Sequence, residues 1–350
     1  KGEPRKPYCL VLSLVNPHDV LGYPKSVQFG YTPDEYTGRT ITELPPTVTE
    51  QLLKNGKPMA QLQTNIAADG LLGVLRNDDM KLNYLNFYAY LLTKIDGEIG
   101  KFIDVLYDDT KGSRLADDAV VIRLADHGEM GMSHGGMRQK AFVAYEEALR
   151  IPMVISNPIV FNKKESSDEL ATLIDIFPTI SEIVGVPKDS NARGESLIPI
   201  IEEGKSVQDS ILFTFDDTKS GSNNLPSSVK ATNRLRAIRT HDWKYTYYFD
   251  SLGRYQKEYE LYDLVNDIEE LHNLAYKPEY REQREYLHQQ LMELEERKLR
   301  VNEIFVNKNN QYEYKTWVET NPNFETYAYN DIEGYEKENF DINEKKNTEK

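Results

Sequence analysis

The amino-acid sequence predicts an α/β fold, in which a central sheet carries helices on its faces and a smaller subdomain follows. Residues 119–125 form an almost unbroken apolar run with β-branched residues at its centre, which is typical of a strand covered on both faces. Residues 82–107 carry apolar residues at helical spacing, which predicts a long amphipathic helix. From about residue 207 the pattern changes to short alternating runs separated by turns, which predicts a small antiparallel sheet.

The other elements of the core follow in chain order. Residues 7–15 are apolar and predict a second buried strand, with Cys9 as a buried thiol; as the only cysteine, it excludes an intrachain disulfide. Residues 20–80 are rich in proline, glycine and polar residues and predict surface loops. Residues 151–155 should return to the core as a strand. Residues 168–184 predict a helix with Ser167 or Asp168 as N-cap and a kink at Pro178.

The C-terminal part predicts a small α+β subdomain followed by a tail. The expected strands are residues 210–216, 235–240, 243–249 and 259–262. Residues 278–300 predict a charged helix with one apolar stripe, formed by Tyr286, Leu287, Leu291 and Leu294. We therefore divide the chain into a core at 1–206, a subdomain at 207–300 and a polar tail at 301–350.

Composition narrows the classes of function. The chain has 350 residues and a net charge of −15, from 42 basic and 57 acidic side chains. This balance argues against nucleic acid as a partner, since binding would need a basic face. No apolar run is long enough to cross a bilayer. The chain begins with Lys1 and reaches strand-like sequence within a few residues, so we expect its N-terminus to be cut from a longer protein.

The loop after the apolar run 119–125 carries the chemistry. Asp126 and His127 follow the expected strand directly, and the carboxyl ends of buried strands are where α/β sheets place ligands. Both residue types bind cations, whereas Lys140 suits an oxyanion. Together they predict a site for an anionic ester. The alternative is a glycine-rich surface turn whose polar side chains are solvated.

A second histidine follows the other expected strand. His18 stands in Asn16-Pro17-His18-Asp19, directly after residues 7–15. A histidine that titrates near neutral pH suits general acid catalysis. The alternative is a turn or capping residue.

The motifs of this loop resemble those of a known family. Asp126-His-Gly-Glu-Met, the glycine- and histidine-rich loop, Lys140, Tyr145-Glu-Glu and Arg150-Ile-Pro resemble the second signature region of type I sulfatases, in the alkaline-phosphatase-like superfamily. The resemblance implies a three-layer α/β/α core, incomplete at its N-terminus.

The resemblance also implies roles for individual residues. Asp126 and His127 would ligate a divalent cation, and Lys140 would contact the sulfate or the bridging oxygen of the ester. His18 would hydrogen-bond the sulfate and help to protonate the leaving group. His134, in the same loop, is a further candidate for substrate binding.

The family's remaining components are expected upstream of residue 1. The resemblance implies Ca²⁺ as the cation, with Mn²⁺ or Mg²⁺ as alternatives, and a formylglycine nucleophile made within a Cys-or-Ser-x-Pro-x-Arg motif. That motif, and an Asp-Asp pair after the first core strand, are absent from this sequence. We therefore expect a C-terminal portion of a sulfatase that lacks turnover by itself. The residues do not indicate a cellular location, and the family resemblance favours an extracytoplasmic one, periplasmic or secreted.

Three functions stay open at this point. The first is hydrolysis of a sulfate ester, carried by a small molecule or a glycan. The second is hydrolysis of a phosphonate or phosphate ester by a member of the same superfamily. The third is a non-catalytic binding remnant. The sequence predicts no nucleic-acid partner and no membrane span.

Overall fold

The computed structural model describes residues 7–25, 29–38, 40–110, 112, 114–161, 165–189, 191–217, 229–250 and 253–299. The chain forms two compact units, the first made of residues 1–55 and 61–166, the second of residues 56–60 and 167–350. This division falls before the sequence-based boundary at residue 206, which stays a prediction. Residues 167–206 belong to the second unit, within which Gln208 Nε2 donates to Leu170 O at 3.1 Å and Lys298 Nζ lies 3.3 Å from Glu195 Oε1.

The first unit mixes helices with a two-stranded sheet. Its elements are α1 (Met59–Leu72, which starts in residues counted with the second unit), α2 (Asp78–Tyr107), β1 (Val121–Leu124), the one-turn segments α3 (Ser133–Gly136) and α4 (Glu146–Leu149), and β2 (Met153–Ser156). Short 3₁₀ turns cover His18–Gly22, Pro33–Glu35, Pro46–Thr49 and Leu115–Asp118.

Helix α2 confirms the prediction for residues 82–107 and starts four residues earlier. The Asn77 side chain accepts a hydrogen bond from Met80 N at 2.9 Å, which satisfies one of the free amides of the first turn. Asp78 and Asp79 add negative charge at the positive end of the helix dipole. The buried face of α2, with Tyr84, Leu85, Phe87 and Leu91, packs into a core with Val20, Tyr23, Tyr36 and Met132.

The sheet of the first unit differs from the prediction. β1 and β2 confirm the strands expected within 119–125 and 151–155, but they pair antiparallel, from Val121 opposite Ser156 to Leu124 opposite Met153. Leu124 and Val154 are exposed, so the expected cover on both faces is absent among the described residues.

The prediction of a buried strand at residues 7–15 is wrong for the described structure. No strand is assigned there, and Leu10, Val11 and Val15 are largely exposed. Cys9 is likewise exposed, which corrects its placement in the core. The physical reason is that no described strand pairs with this segment, and an apolar run without a paired neighbour has no sheet to enter.

The second unit contains a four-stranded antiparallel meander. Its elements are α5 (Ile176–Ile183), α6 (Ile198–Glu203), β3 (Ile211–Asp216), β4 (Arg234–Arg239), β5 (Trp243–Phe249), β6 (Glu258–Asp263) and α7 (Arg281–Leu299). The strands lie in the order β3-β4-β5-β6, which confirms the predicted sheet. Helix α7 packs Leu287, Leu291 and Leu294 into the core as predicted, whereas Tyr286 is exposed. The predicted tail at 301–350 lies outside the described residues.

The helix predicted from residue 168 begins later. A 3₁₀ turn at Leu173–Asp175 comes first, and Asp175 Oδ2 accepts a hydrogen bond from Thr172 N at 2.7 Å. Ser167 and Asp168 are therefore not the N-cap. Pro178 falls in the first turn of α5, where a missing amide costs no helical hydrogen bond, so the expected kink is absent. Within the described ranges, no helix is both long and apolar enough to cross a membrane.

Candidate functional site

Asp126 and His127 lie side by side just beyond the carboxyl end of β1. The Asp126 carboxylate is exposed, and its Oδ1 accepts a hydrogen bond from His127 N at 2.9 Å. His127 Nδ1 lies 2.9 Å from Gly128 O. Because a carbonyl oxygen only accepts hydrogen bonds, Nδ1 carries the proton and the Nε2 lone pair stays available. That nitrogen lies 3.3 Å from Asp126 Oδ2.

This pair fits one cation. Two ligands at right angles on a metal with bonds of about 2.0–2.4 Å are separated by about 3 Å, close to the observed spacing. The hydrogen bond at Nδ1 also fits, since metal-bound histidines normally donate their other ring N–H to a second group. The described residues contain no group of three or more side chains that could hold a metal ion, so this pair by itself is smaller than a full ligand set.

Gly128 allows the chain to turn immediately after this pair. Its amide donates to Ala148 O at 2.8 Å, and the next amide, of Glu129, donates to Glu147 O at 3.0 Å. A Cβ at position 128 would lie 1.9 Å from the Glu147 carbonyl oxygen. Only glycine therefore permits this close approach of two backbone segments.

Lys140 lies on the same cross-linked loop. Met130 N donates to Gln139 O at 3.0 Å, and Met132 N donates to Met137 O at 2.9 Å. With the bonds at Gly128 and Glu129, these form a nested ladder across residues 128–148. Lys140 is the residue directly after Gln139, which accepts the hydrogen bond from Met130 N, and it is half-buried. The ladder thus joins Lys140 to the strand end that carries the candidate ligands.

His18 lies in the 3₁₀ turn His18–Gly22, and its side chain is more than half exposed. Its Nδ1 lies 3.8 Å from Asp19 Oδ1. Asp19 is held in turn by the Tyr31 hydroxyl, which donates to Oδ2 at 2.6 Å, and by Asn16, whose Oδ1 accepts from Asp19 N at 3.1 Å. The turn therefore exposes His18 to solvent, and hydrogen bonds to the neighbouring Asp19 hold the turn in place. Its predicted place beside Lys140 stays a prediction.

His134 is fully buried and contacts protein groups. Its Nδ1 donates to Glu50 Oε2 at 2.6 Å, its Nε2 lies 3.6 Å from Glu147 Oε1, and its ring stacks on Tyr145 with centroids 3.7 Å apart. Its own amide donates to Thr47 Oγ1 at 3.0 Å. The predicted role in substrate binding stays a prediction, and these contacts favour a structural one.

The charge of this cluster affects its titration. Burial raises the pKa of the Glu147 carboxyl, but the hydrogen bond and positive charge of His134 outweigh it, so the pKa lies below its ordinary value. Glu147 thus stays ionised beside the imidazole.

Sequence reasoning missed two residues of this region. Glu50 lies in the segment described only as surface loops, and no local pattern connects it with His134, 84 positions away. Glu129 stands inside the quoted motif but received no role, although its Oε1 accepts hydrogen bonds from the amides of Gly131 and Gln139. Its adjacency to the candidate ligands was the available signal.

The protein has an α/β fold, and the loop after β1 carries the two candidate cation ligands, Asp126 and His127, together with Lys140. A family model described as "Sulfatase" matches residues 1–186, and one described as "N-sulphoglucosamine sulphohydrolase, C-terminal" matches residues 134–297. The chain belongs to the sulfatase family. This confirms the resemblance drawn from the residues around Asp126, His127 and Lys140.

Curated relatives include N-acetylglucosamine-6-O-sulfatase of Bacteroides thetaiotaomicron, 28% identical over 60% of this chain and 35% of the relative. Human arylsulfatase K is 28% identical over 56% of this chain and 34% of the relative. An arylsulfatase of Clostridium perfringens is 28% identical over 84% of this chain and 55% of the relative. The matched part of this chain spans about a third of the length of the first two.

Solved structures share the fold. One, determined in complex with its substrate D-glucosamine-2-N,6-O-disulfate, has a TM-score of 0.62 at 20% identity and covers 76% of this chain and 62% of that one. The phosphonate monoester hydrolase of Agrobacterium radiobacter has a TM-score of 0.58 at 21% identity, with coverage of 80% and 55%. Sulfatases as a family use a divalent metal and a formylglycine.

Proposed function

We propose that this chain forms part of an enzyme that hydrolyses sulfate esters. The observation that carries the proposal is the pairing of Asp126 Oδ2 and His127 Nε2, 3.3 Å apart at a strand end, on the loop that also carries Lys140. The match of the sulfatase family model to residues 1–186 supports it.

Each residue would have one task. Asp126 and His127 would hold the divalent cation, for which Ca²⁺ is our first candidate; when bound, it would polarise the ester and position the nucleophile. Lys140 would place its ammonium on the sulfate oxygens, where negative charge grows in the transition state. His18, exposed and supported by Asp19, would deliver a proton to the leaving oxygen.

The substrate we propose is a sulfated sugar of the glucosamine class. Support comes from the relative named N-acetylglucosamine-6-O-sulfatase and from the neighbour solved with a glucosamine disulfate. The acidic balance of the chain does not oppose an anionic substrate, because a local cation and a lysine set the field inside the site.

The test is a kinetic comparison of Lys140 variants, in an enzyme that contains this chain together with the nucleophile segment expected for the family. Lys140→Ala should lower kcat by about 10²–10³, because loss of one preorganised contact with developing charge typically costs that much. Lys140→Arg should restore only part of the rate, since a planar guanidinium cannot take the place of a compact ammonium.

The matched control is Lys101→Ala, which removes an exposed lysine of the same unit. It should leave kcat unchanged. A wild-type kcat in Lys140→Ala would contradict the proposed role and return Lys140 to a solvated loop residue.

Phosphonate ester hydrolysis is the second candidate, because a phosphonate monoester hydrolase shares the fold with a TM-score of 0.58. The two activities separate in one assay with paired aryl esters. Our proposal requires a higher kcat/KM for the sulfate ester, and the reverse order would favour the second candidate.

A further inference from the structure

Glu129 stands between the candidate cation ligands and Lys140 in the sequence, and one of its carboxylate oxygens accepts several hydrogen bonds. Oε1 accepts from Gln139 N at 2.9 Å and from Gly131 N at 3.4 Å, and it also accepts the Tyr84 hydroxyl. A charged acceptor makes hydrogen bonds stronger than neutral ones. One half-buried carboxylate thus accepts hydrogen bonds from both sides of the loop, at Gly131 and at Gln139.

Gln139 is held on both sides of its backbone. Its amide donates to the Glu129 side chain, and its carbonyl accepts from Met130 N at 3.0 Å. Its φ of 72° lies in the left-handed region, which costs free energy for a residue with a Cβ. Such a conformation persists where the surroundings fix it. The next residue is Lys140, so the start of its side chain is fixed by the same bonds.

Tyr84 connects this arrangement with the core. It lies on the buried face of α2, in contact with Tyr23 at 6.0 Å between ring centroids. Burial and the negative charge of Glu129 raise the pKa of the Tyr84 hydroxyl well above its ordinary value. The hydroxyl therefore stays a donor, and helix α2 supports the Glu129 carboxylate.

We propose that Glu129 is a positioning residue for Lys140, which it places relative to Asp126 and His127 by accepting the Gln139 amide. The inference rests on the function proposed for Lys140. Glu129 itself acts through the backbone of Gln139 and contacts no substrate.

Three variants separate the contributions. Glu129→Ala removes the acceptor from all three donors. Glu129→Gln keeps an Oε1 acceptor without the charge and should behave closer to wild type. Tyr84→Phe removes only the anchor on α2. Glu43→Gln, an exposed glutamate of the same unit, is the matched control for loss of a negative charge.

The first measurement is hydrogen exchange at the Gln139 amide in the 350-residue chain, which needs no turnover. In Glu129→Ala the exchange rate of this amide should rise on the order of tenfold to a hundredfold, because hydrogen bonds to charged groups are among the stronger ones. Glu129→Gln should show a smaller increase, which keeps the test valid should Glu129→Ala not fold. Wild-type exchange in both Glu129 variants would overturn the proposal.

The second measurement is a double-mutant cycle on kcat in the active enzyme. Glu129→Ala should lower kcat by about tenfold to a hundredfold, with KM changed less, because a misplacement near 1 Å costs about that much. In a Lys140→Ala background the same change should add little, since Glu129 acts through Lys140. Fully additive losses would overturn the positioning role.

The two failures can be told apart. A silent Lys140→Ala would overturn the proposed function of Lys140, and the positioning role with it, even where exchange at Gln139 responds to Glu129. A large effect of Lys140→Ala with a silent Glu129→Ala would overturn the positioning role alone.

Discussion

The two sheets of this protein differ in what they bury and in what they carry. β4 and β5 of the second unit are buried along almost their whole length, yet no candidate site residue lies on them. β1 of the first unit ends in the exposed Arg123 and Leu124, and the candidate cation ligands follow it directly. Burial is concentrated in one sheet and the candidate site residues lie at the end of the other, so substitutions in the two should have different consequences.

The largest expected effect is in the second unit. Lys244 Nζ lies 2.8 Å from Glu270 Oε1, and both side chains are essentially inaccessible to solvent. Lys244→Met should lower the free energy of unfolding by about 3–5 kcal/mol, because it leaves a buried carboxylate without its ammonium. Denaturant unfolding of the purified chain measures this loss.

A double variant sharpens the same point. Combining Lys244→Met with Glu270→Gln removes both charges of the buried pair, so stability should recover in part. A single Lys244→Met as stable as wild type would contradict the view that this sheet depends on its buried ion pair.

An intermediate effect is expected in the first unit, in the loop of residues 128–148. Gly128→Ala should lower the free energy of unfolding by about 1–3 kcal/mol, since the added methyl group overlaps the Glu147 carbonyl and forces the two backbone segments apart. Gly100→Ala is the matched control within α2, where an added Cβ meets nothing within 4 Å. It should stabilise by about 0.5–1 kcal/mol. Thermal melts measure both variants, and shifts in melting temperature of the same sign would contradict this contrast.

The smallest effect concerns pH. The pKa of Glu147 is lowered in the folded chain, so its contribution to stability is present above the ordinary value of 4.5 and is lost as pH falls through the lower folded-state pKa. His134 faces it directly, and Glu50 faces the other side of the same ring. Glu147→Gln should therefore flatten the decline of unfolding free energy below pH 4.5. An unchanged slope would assign that decline to other carboxyls.

The same contrast explains what the sequence could predict. The strand 243–249 was found because a local pattern of strand and turn residues already describes it, and it pairs with β4, which ends at Arg239 just before it. Asp126, His127 and Lys140 were found because they share one short segment. Residues 7–15 have the composition of a strand, but burial depends on a covering surface, which local pattern does not contain. Glu50 was missed for the same reason, since its partner His134 is distant in the chain.

The ladder across residues 128–148 also has a consequence for how the first unit folds. β1 and β2 are consecutive strands, yet the site loop separates them, and the entropic cost of closing a loop rises with the logarithm of its length. The bonds are nested, so closing the inner pairs 132–137 and 130–139 would shorten the segment that remains to be closed by the outer pair 128–148. The nested bonds therefore lower the entropic cost of bringing β1 and β2 together. The same bonds cross-link the loop that carries Lys140, so pairing of the two strands and ordering of this loop favour each other.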